Sequence, residues 1–534
     1  MLERIIHLVS NIPTWVFLAV IIHLTVLGAV AYLILLERKT ASWVQDRLGP
    51  NRVGFHFNLD FLPKFHFWGL GQPLADGLKF LVKEDFQPRK VDTILFTAAP
   101  IVMIIVVIIS IAVIPWGGVK QSTDLIYIPV AQAQALALAE TVEDRARIVT
   151  PYLTHTAAVV HAEVLEGELV YDQFPPTSDP RSLLDAGPPG ATLPVAVTYQ
   201  YPFQIAKLNF GVLFVLAVLS LAVYGVVIGG GASNNKYSFI GGLRACANMI
   251  SYEIPLGLSV LAVVLMFGTL DLGEIVNLQA GYWLGFIPAW NVFTQPVAFI
   301  LFLICIHAEA NRAPFDMAEA EQELVGGYHT EYSSMRFALF FLAEYAGMVT
   351  TSCVAVALFF GGWHLPGVDW LYAKITGAFV AGAVTDSLVL NIIRTAVFFG
   401  KAVVILFIFM WVRWSLPRFR FDQLMQIAWG GMIPLSIALV AGSAICVYLT
   451  GGATRYPDVV DQTLVRPFGF DIAMVFLLMN GIIVVGSLVV MYLLPAGPSG
   501  NNQKIDVPDS RFKFTPGPGK GRGAIPARPA TVGP

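Results

Sequence analysis

The chain has 534 residues, 56% of them hydrophobic and only 13% charged, with a formal net charge of −3. Soluble domains carry about 25% charged residues, so a water-soluble enzyme is excluded, while so small a net charge says little about partners and no nucleic-acid partner is expected. What remains is an all-α polytopic membrane protein, because long continuous apolar runs, unlike the alternating strands of a barrel, read as membrane helices.

A span takes about 20 predominantly apolar residues. Nine such runs occur, at about 14–36, 92–114, 207–229, 248–270, 290–310, 336–360, 391–413, 429–450 and 470–494. The first is too long for a signal peptide, lacks a small-residue cleavage site and ends in Glu37-Arg38-Lys39, so it is expected to stay as a helix. In the loop that follows, "LERKTASWVQDRLGPNRVG" sets Glu37, Arg38, Lys39, Gln45, Arg47 and Arg52 around the turn Gly49-Pro50-Asn51. "GQPLADGLKFLVKEDFQP" then reads as an amphipathic helix whose Leu74, Leu78, Phe80 and Leu81 face the bilayer or a partner. A plain positive anchor accounts for the charge here. The turn with its flanking arginines is more specific than an anchor needs.

Residues 115–202 have ten acidic and four basic residues. They read as an external insertion, with a helix over "AQAQALALAETVEDRARIV" and a turn-rich stretch after it. Beyond it, Glu253 in "SYEIP" and Glu344 in "FALFFLAEYAGM" interrupt apolar runs. A central carboxylate costs roughly 2.5–3.5 kcal/mol on insertion scales, so both should face the bundle interior, with Pro255 loosening the helix beside Glu253. Arg394 and Lys401, seven apart on one helical face, are candidate counter-charges.

Between the fifth and sixth runs stands "HAEANRAPFDMAEAEQELVGGYHTEYSSM". Pro314 ends the fifth span, Asp316 with Glu319 makes a capping-box-like helix start, and Gly326-Gly327 a stop. Capping accounts for two carboxylates and leaves Glu309, Glu321, Glu323 and Glu331 over. Glu319 and Glu323 stand four apart on one face, where like charges repel. Such a group, if shielded from water, is suited to taking up and releasing protons; a solvated acidic loop is the plainer reading of the same spacing.

Alternate loops, 37–91, 230–247, 311–335, 414–428 and the tail after 495, collect most of the 33 Lys and Arg. They are therefore expected in the cytoplasm, with the N-terminus outside and the C-terminus inside. The loop 311–335 is acidic and follows only from the alternation. The parts are then 1–114, two spans with a cytoplasmic loop; the insertion 115–202; a core 203–450; one more span in 451–495; and a Pro- and Gly-rich basic tail 496–534, near anionic lipid. The four cysteines, Cys246, Cys305, Cys353 and Cys446, form no metal-ligand or disulfide spacing, and no phosphate loop is readable. Any redox cofactor is expected in another chain.

In order along the chain, "ERKTASWVQDRLGPNRVG", "GQPLADGLKFLVKED", "ISYEIP", "AEANRAPFDMAEAEQELVGGYHTEYSSMRFALFFLAEY" and "WVRWSLPRFRFDQLMQIAW" closely resemble the H subunit of proton-translocating NADH:quinone oxidoreductase, respiratory complex I. The resemblance covers about 15–114 and 203–450, leaving the insertion, the ninth span and the tail uncovered. It implies a multi-pass protein of the bacterial inner membrane with no redox centre of its own. Such a protein builds the access chamber for a quinone such as ubiquinone, while FMN and iron–sulfur clusters sit in partner subunits. Its partners would be the iron–sulfur and quinone-site subunits of the hydrophilic arm and the small and antiporter-like membrane subunits. Carried onto this sequence, the chamber and docking loop would comprise the six first-loop residues with Arg312, Phe315, Tyr328 and Arg336. The charge path would comprise Glu253, Glu309, Asp316, Glu319, Glu321, Glu323, Glu331 and Glu344. Two other readings stay open: the related membrane chain of a membrane-bound hydrogenase or formate-linked complex, and a stand-alone ion transporter, which should show inverted repeats that are not evident here.

Overall fold

The computed structural model describes residues 14–53, 67–129, 158–164, 192–283, 287–318, 325–367, 384–385, 388–449 and 472–493. Every one of the nine apolar runs falls on helix. In chain order the helices are α1 (Thr14–Val44), α2 (Gln72–Val82), α3 (Thr93–Ala112), α4 (Gly211–Ser220), α5 (Ala222–Ala232), α6 (Lys236–Phe267) and α7 (Leu272–Leu278). There follow α8 (Asn291–Thr294), α9 (Pro296–Glu309), α10 (Ser334–Phe359), α11 (Leu388–Ser415), α12 (Phe421–Gln426), a π-helical turn Ile427–Met432, α13 (Ile433–Leu449) and α14 (Ile472–Leu493). Among the described residues six stretches are long and apolar enough to cross a membrane: Thr93–Ala112, Gly211–Ala232, Lys236–Phe267, Ser334–Phe359, Leu390–Ser415 and Phe421–Tyr448. The protein is a multi-pass, helical membrane protein.

Local chemistry sets several of the ends. Asp92 Oδ1 accepts from the N–H groups of Ile94 and Leu95 at the start of α3, and Asn235 Oδ1 accepts from Tyr237 N at the start of α6. Gly268, at φ 70°, takes the left-handed position that stops α6. Pro255 does not loosen α6: the helix runs unbroken from Lys236 to Phe267 with Pro255 buried inside it, since packing neighbours stabilise a span through a proline. The breaks lie elsewhere, at Leu221 between α4 and α5 and at Gln295 between α8 and α9.

α10 is the central helix, with 78% of its apolar window buried. It packs on α1, α3 and α11, while α6 packs on α5, α9 and α13. Gly230 of α5 meets Gly242 of α6, each lacking the Cβ that would push the backbones apart. The insertion contributes strands β1 (Val119–Pro129), β2 (Ala158–Val164) and β3 (Thr192–Pro202). Two short strands further on, β4 (Tyr282–Trp283) and β5 (Ile287–Pro288), pair with each other. With β6 (Val384–Thr385) the insertion strands form one sheet in the order β2-β3-β1-β6, β1 antiparallel to β3 and parallel to β6. The helix expected over 131–149 lies outside the described residues.

Contacts gather the loops into two sets. Phe86 N donates to Ser333 Oγ, Arg418 bonds Asp316, and Asn235 bonds Glu331, joining loops that the charge bias assigns to the cytoplasm. Trp116 N donates to Phe203 O, Val212 N to Leu270 O and Gln279 Nε2 to Ala357 O, joining the opposite ends. The chain divides into 1–484 and 485–534; the described part of the second, 485–493, is the end of α14.

Candidate functional site

On α1 the buried positions include Val26, Val30, Leu33, Glu37 and Thr40, a three-and-four spacing that places all five on one helical face. The stripe carries a carboxylate inward. Glu37, Arg38 and Lys39 therefore do not open a loop, as the charge cluster led one to expect; α1 continues through them to Val44 because its inward face continues.

Glu37 is the hub. Its carboxylate accepts from the Tyr345 hydroxyl and from Arg413 Nη1. Arg312 Nη1 stands 4.0 Å from Glu37 Oε1, and Nη2 of the same guanidinium stands 3.1 Å from Glu344 Oε2. That guanidinium also lies 4.3 Å from the centroid of the Tyr345 ring, and Tyr328 donates to Glu344 Oε1 over 3.5 Å. Glu37, Arg312 and Glu344 are each less than 9% exposed. Removing one partner from a buried ion pair costs about 3–5 kcal/mol because the other is left uncompensated, so these groups hold one another in place.

Two cavities extend this cluster. One of about 50 Å³ is lined by Glu344, Asn311, Thr351 and Glu309. A second, of about 350 Å³, is lined by Glu309, Cys305, Tyr252 and Glu253. Glu309 lines both, and its Oε2 is sealed from solvent with no hydrogen-bond partner. The order of carboxylates is thus Glu253, Glu309, Glu344, Glu37. Glu253 corrects one expectation: it is exposed on this chain, on the rim of the cavity, because its position on α6 turns toward the outer surface of the bundle.

The remaining residues singled out in the sequence separate from this series. Asp316 is bound by Arg418, whose Nε donates to Asp316 O at 2.9 Å and whose Nη2 reaches Asp316 Oδ2 at 2.5 Å. Glu331 accepts from Asn235 Nδ2 at 2.7 Å in a separate groove beside Lys90 and Lys236. Glu319, Glu321 and Glu323 lie outside the described residues, and with Glu319 the expected capping pair. Phe315 packs in the core between Tyr252 and Phe419. Arg336 reaches Asp85 at 3.5 Å and lies over Phe96. Arg38 pairs with Asp76 at 2.7 Å and Lys39 donates to Asn51 Oδ1 at 3.1 Å, tying the end of α1 to α2 and to the turn. Gln45, Arg47 and Arg52 are exposed, and α2 buries none of its residues. Leu74, Leu78 and Leu81 of α2 are exposed, as are Trp43 and Leu48.

Lys401 is not a counter-charge to the acids. Its ammonium donates to the carbonyls of Phe360, Gly362 and His364 and lies 4.5 Å from the Trp290 ring centroid. Three converging acceptors at the frayed end of α10 outcompete a distant carboxylate. His364, in the turn itself, is held neutral: burial, then the charges of Arg394 and Lys401, push its pKa down to about 3. On the opposite loops, burial raises the Tyr332 phenol well above its usual range although Arg336 and a hydrogen bond with Ser233 oppose the shift.

Tyr345, Arg413 and Arg418 were not singled out from the sequence. Tyr345 directly follows a recognised carboxylate, and Arg413 and Arg418 stand in the quoted motif "WVRWSLPRFRFDQLMQIAW", so motif position was the available signal. Among the described residues no group of three or more His, Cys, Asp or Glu could hold a metal ion.

A family profile described as NADH dehydrogenase matches residues 17–141 and 182–444. The chain is 37% identical over 413 residues to the first NADH-quinone oxidoreductase H subunit of Cytophaga hutchinsonii, covering 77% of this chain and 90% of that protein. It is 39% identical over 412 residues to the NADH-quinone oxidoreductase H subunit of Protochlamydia amoebophila, covering 77% and 90%. It is 38% identical over 435 residues to the second NADH-quinone oxidoreductase H subunit of Koribacter versatilis, covering 80% and 96%.

Proposed function

Since the chain belongs to the NADH dehydrogenase family of NADH-quinone oxidoreductase H subunits, we propose that it is the component of the respiratory complex that lines the quinone-access chamber and links quinone reduction to proton translocation. The observation that carries this reading is the series Glu253, Glu309, Glu344, Arg312, Glu37, which begins at an exposed carboxylate on the outer surface of the bundle and ends in a buried cluster on α1. α1 leads directly to the exposed arginines and to α2, none of whose residues is buried, a surface suited to the hydrophilic arm and to the mouth of the chamber. The complex would sit in the bacterial inner membrane beside the small and antiporter-like subunits, with electrons arriving from a partner's iron–sulfur cluster.

Reduction of a quinone to its quinol takes two electrons and two protons. Drawing protons at the chamber alters the charge seen by Glu37, and Arg312, placed between two carboxylates, is positioned to answer. If Glu37 gains a proton, its hold on Arg312 weakens and the guanidinium is left to Glu344, whose own affinity for a proton falls. Coupled groups of this kind respond as a set rather than singly. The charge shift then passes through the two cavities to Glu309 and Glu253, toward a neighbouring subunit.

Replacing Glu344 with Gln keeps shape and hydrogen bonding and removes only the charge. The expected outcome is an assembled complex with unchanged NADH oxidation by a water-soluble acceptor and quinone-linked proton pumping reduced about a hundredfold or more, the usual scale for losing a positioned proton-transfer group. Wild-type pumping by the assembled variant would overturn the reading.

A further inference from the structure

We propose that Ser334 is a positioning residue for quinone turnover: its hydroxyl fastens the end of α2 to the first turn of α10, the helix that carries Glu344 and Tyr345. The proposal rests on α2 standing at the mouth of the quinone chamber, and it names what holds α2 there.

Burial does not hold it. No residue of α2 is buried, so the apolar packing that seats the other helices contributes little to this one. At its N-terminal end, Gly71 N donates to Val53 O at 3.2 Å, and Asp76 pairs with Arg38 of α1. The Arg38 side chain in that pair is 46% exposed, and ion pairs in contact with water add little stability. The other end of α2 is held differently. The last carbonyls of a helix have no partner within it, and here they are met by a residue more than 250 positions away in sequence: Ser334 Oγ stands 2.8 Å from Phe80 O and 2.9 Å from Lys83 O, its proton serving both. Ser333 Oγ accepts from Phe86 N at 2.8 Å and donates to Phe86 O at 3.3 Å. Arg336 pairs with Asp85, and the Phe337 and Phe80 ring centroids are 6.2 Å apart. The start of α10 thus grips 80–86 through four of its side chains.

The backbone at Ser334 is set for this contact. The residue is at φ 52° and is 4% exposed. That left-handed conformation is open to glycine and strained for a residue with a Cβ. The two carbonyls bound by the hydroxyl offset the strain, and the turn places two successive hydroxyls on one end of α2. Glu344 lies further along the same helix, roughly 15 Å from Ser334 at 1.5 Å per residue. At the opposite end of α2, Arg38 directly follows Glu37. α2 is therefore fastened to the two helices that bear the buried carboxylates, more firmly to α10 than to α1.

Two substitutions separate the hydroxyl from the strain. Ser334→Gly deletes the hydroxyl and suits φ 52°, whereas Ser334→Ala deletes the hydroxyl and leaves the strain. In the whole purified complex, the measurements are amide exchange over 72–86, thermal stability, kcat and KM for quinone, and NADH oxidation with a water-soluble acceptor. Both variants are expected to assemble, to exchange several-fold faster over 72–86 and to show a quinone KM raised several-fold, because a loosened α2 alters entry to the chamber and not the chemistry. kcat and the acceptor reaction should change little, and only Ser334→Ala should melt at a lower temperature. Were Ser334 needed for stability alone, glycine would return the kinetics to wild type. Unchanged exchange in Ser334→Gly would overturn the proposal, because the hydroxyl would then not be what holds α2. Faster exchange with an unchanged KM would overturn it as well, and would place the error in the position given to α2 at the chamber mouth rather than in the fastening.

Discussion

Tyr345 makes two contacts that one substitution can separate. Its hydroxyl donates to Glu37, and its ring lies under the Arg312 guanidinium. Tyr345→Phe keeps the ring and deletes the donor, so Arg312 stays placed while Glu37 loses a hydrogen bond worth about 1.5–3 kcal/mol, the scale for a charged acceptor. The variant should assemble, oxidise NADH normally with an artificial acceptor and pump several-fold more slowly with quinone, and Tyr345→Leu should in addition lower thermal stability. Unimpaired pumping by the Phe variant would remove the hydroxyl from the path. Glu344 was legible in sequence, because a carboxylate inside an apolar run announces its own cost, whereas Glu37 was read as part of a loop. Their partners were not: Tyr345 and Arg413 stand 308 and 376 residues from Glu37, and no local pattern spans that distance. The same limit misassigned Lys401, whose charge suggested an acid although the turn after α10 offers three carbonyls.

At the scale of elements, the segment that carries Arg312 is held by its connection to the α11–α12 link. Arg418 grips both the carbonyl and the carboxylate of Asp316, and Phe419 N donates to Pro314 O at 3.2 Å. A forked guanidinium makes those contacts together, and a lysine cannot copy them. Arg418→Lys is therefore expected to lower quinone reductase activity several-fold and to speed proteolysis within 311–335 in inside-out vesicles, with α11 and α12 intact. Unaltered cleavage and activity would mean the grip is dispensable. Helix positions were legible because continuous apolar sequence at this length has one solution in lipid. The helix ends were less so. α1 outran its apolar run by following a single inward face, and β1 and β3 pair across more than sixty intervening residues, Val119 with Pro202, beyond what local alternation reveals.

For the whole molecule, the contacts sort the loops into the same two sets that the charge bias does, and the lysines and arginines predict which set is cytoplasmic. A cysteine placed at Ser510 should react with an impermeant maleimide only in inside-out vesicles, and one at Ser182 only in spheroplasts. Cys305, Cys353 and Cys446 are buried and should stay silent. Labelling at Ser510 from outside would reverse the assignment. α14 lies beyond the family match, which stops at 444, yet it is joined to the core at the break before α9. Asn480 Nδ2 donates to Thr294 O and its Oδ1 accepts from Val297 N, one bond on each side of Gln295. These partners are separated by 186 and 183 residues, which places the event in time. A ribosome releasing this chain has delivered α8 and α9, and the acid at the end of α9, long before Asn480 exists. Until it does, the interruption must wait half-finished in the bilayer, so the last helix to be made closes a gap opened among the middle ones.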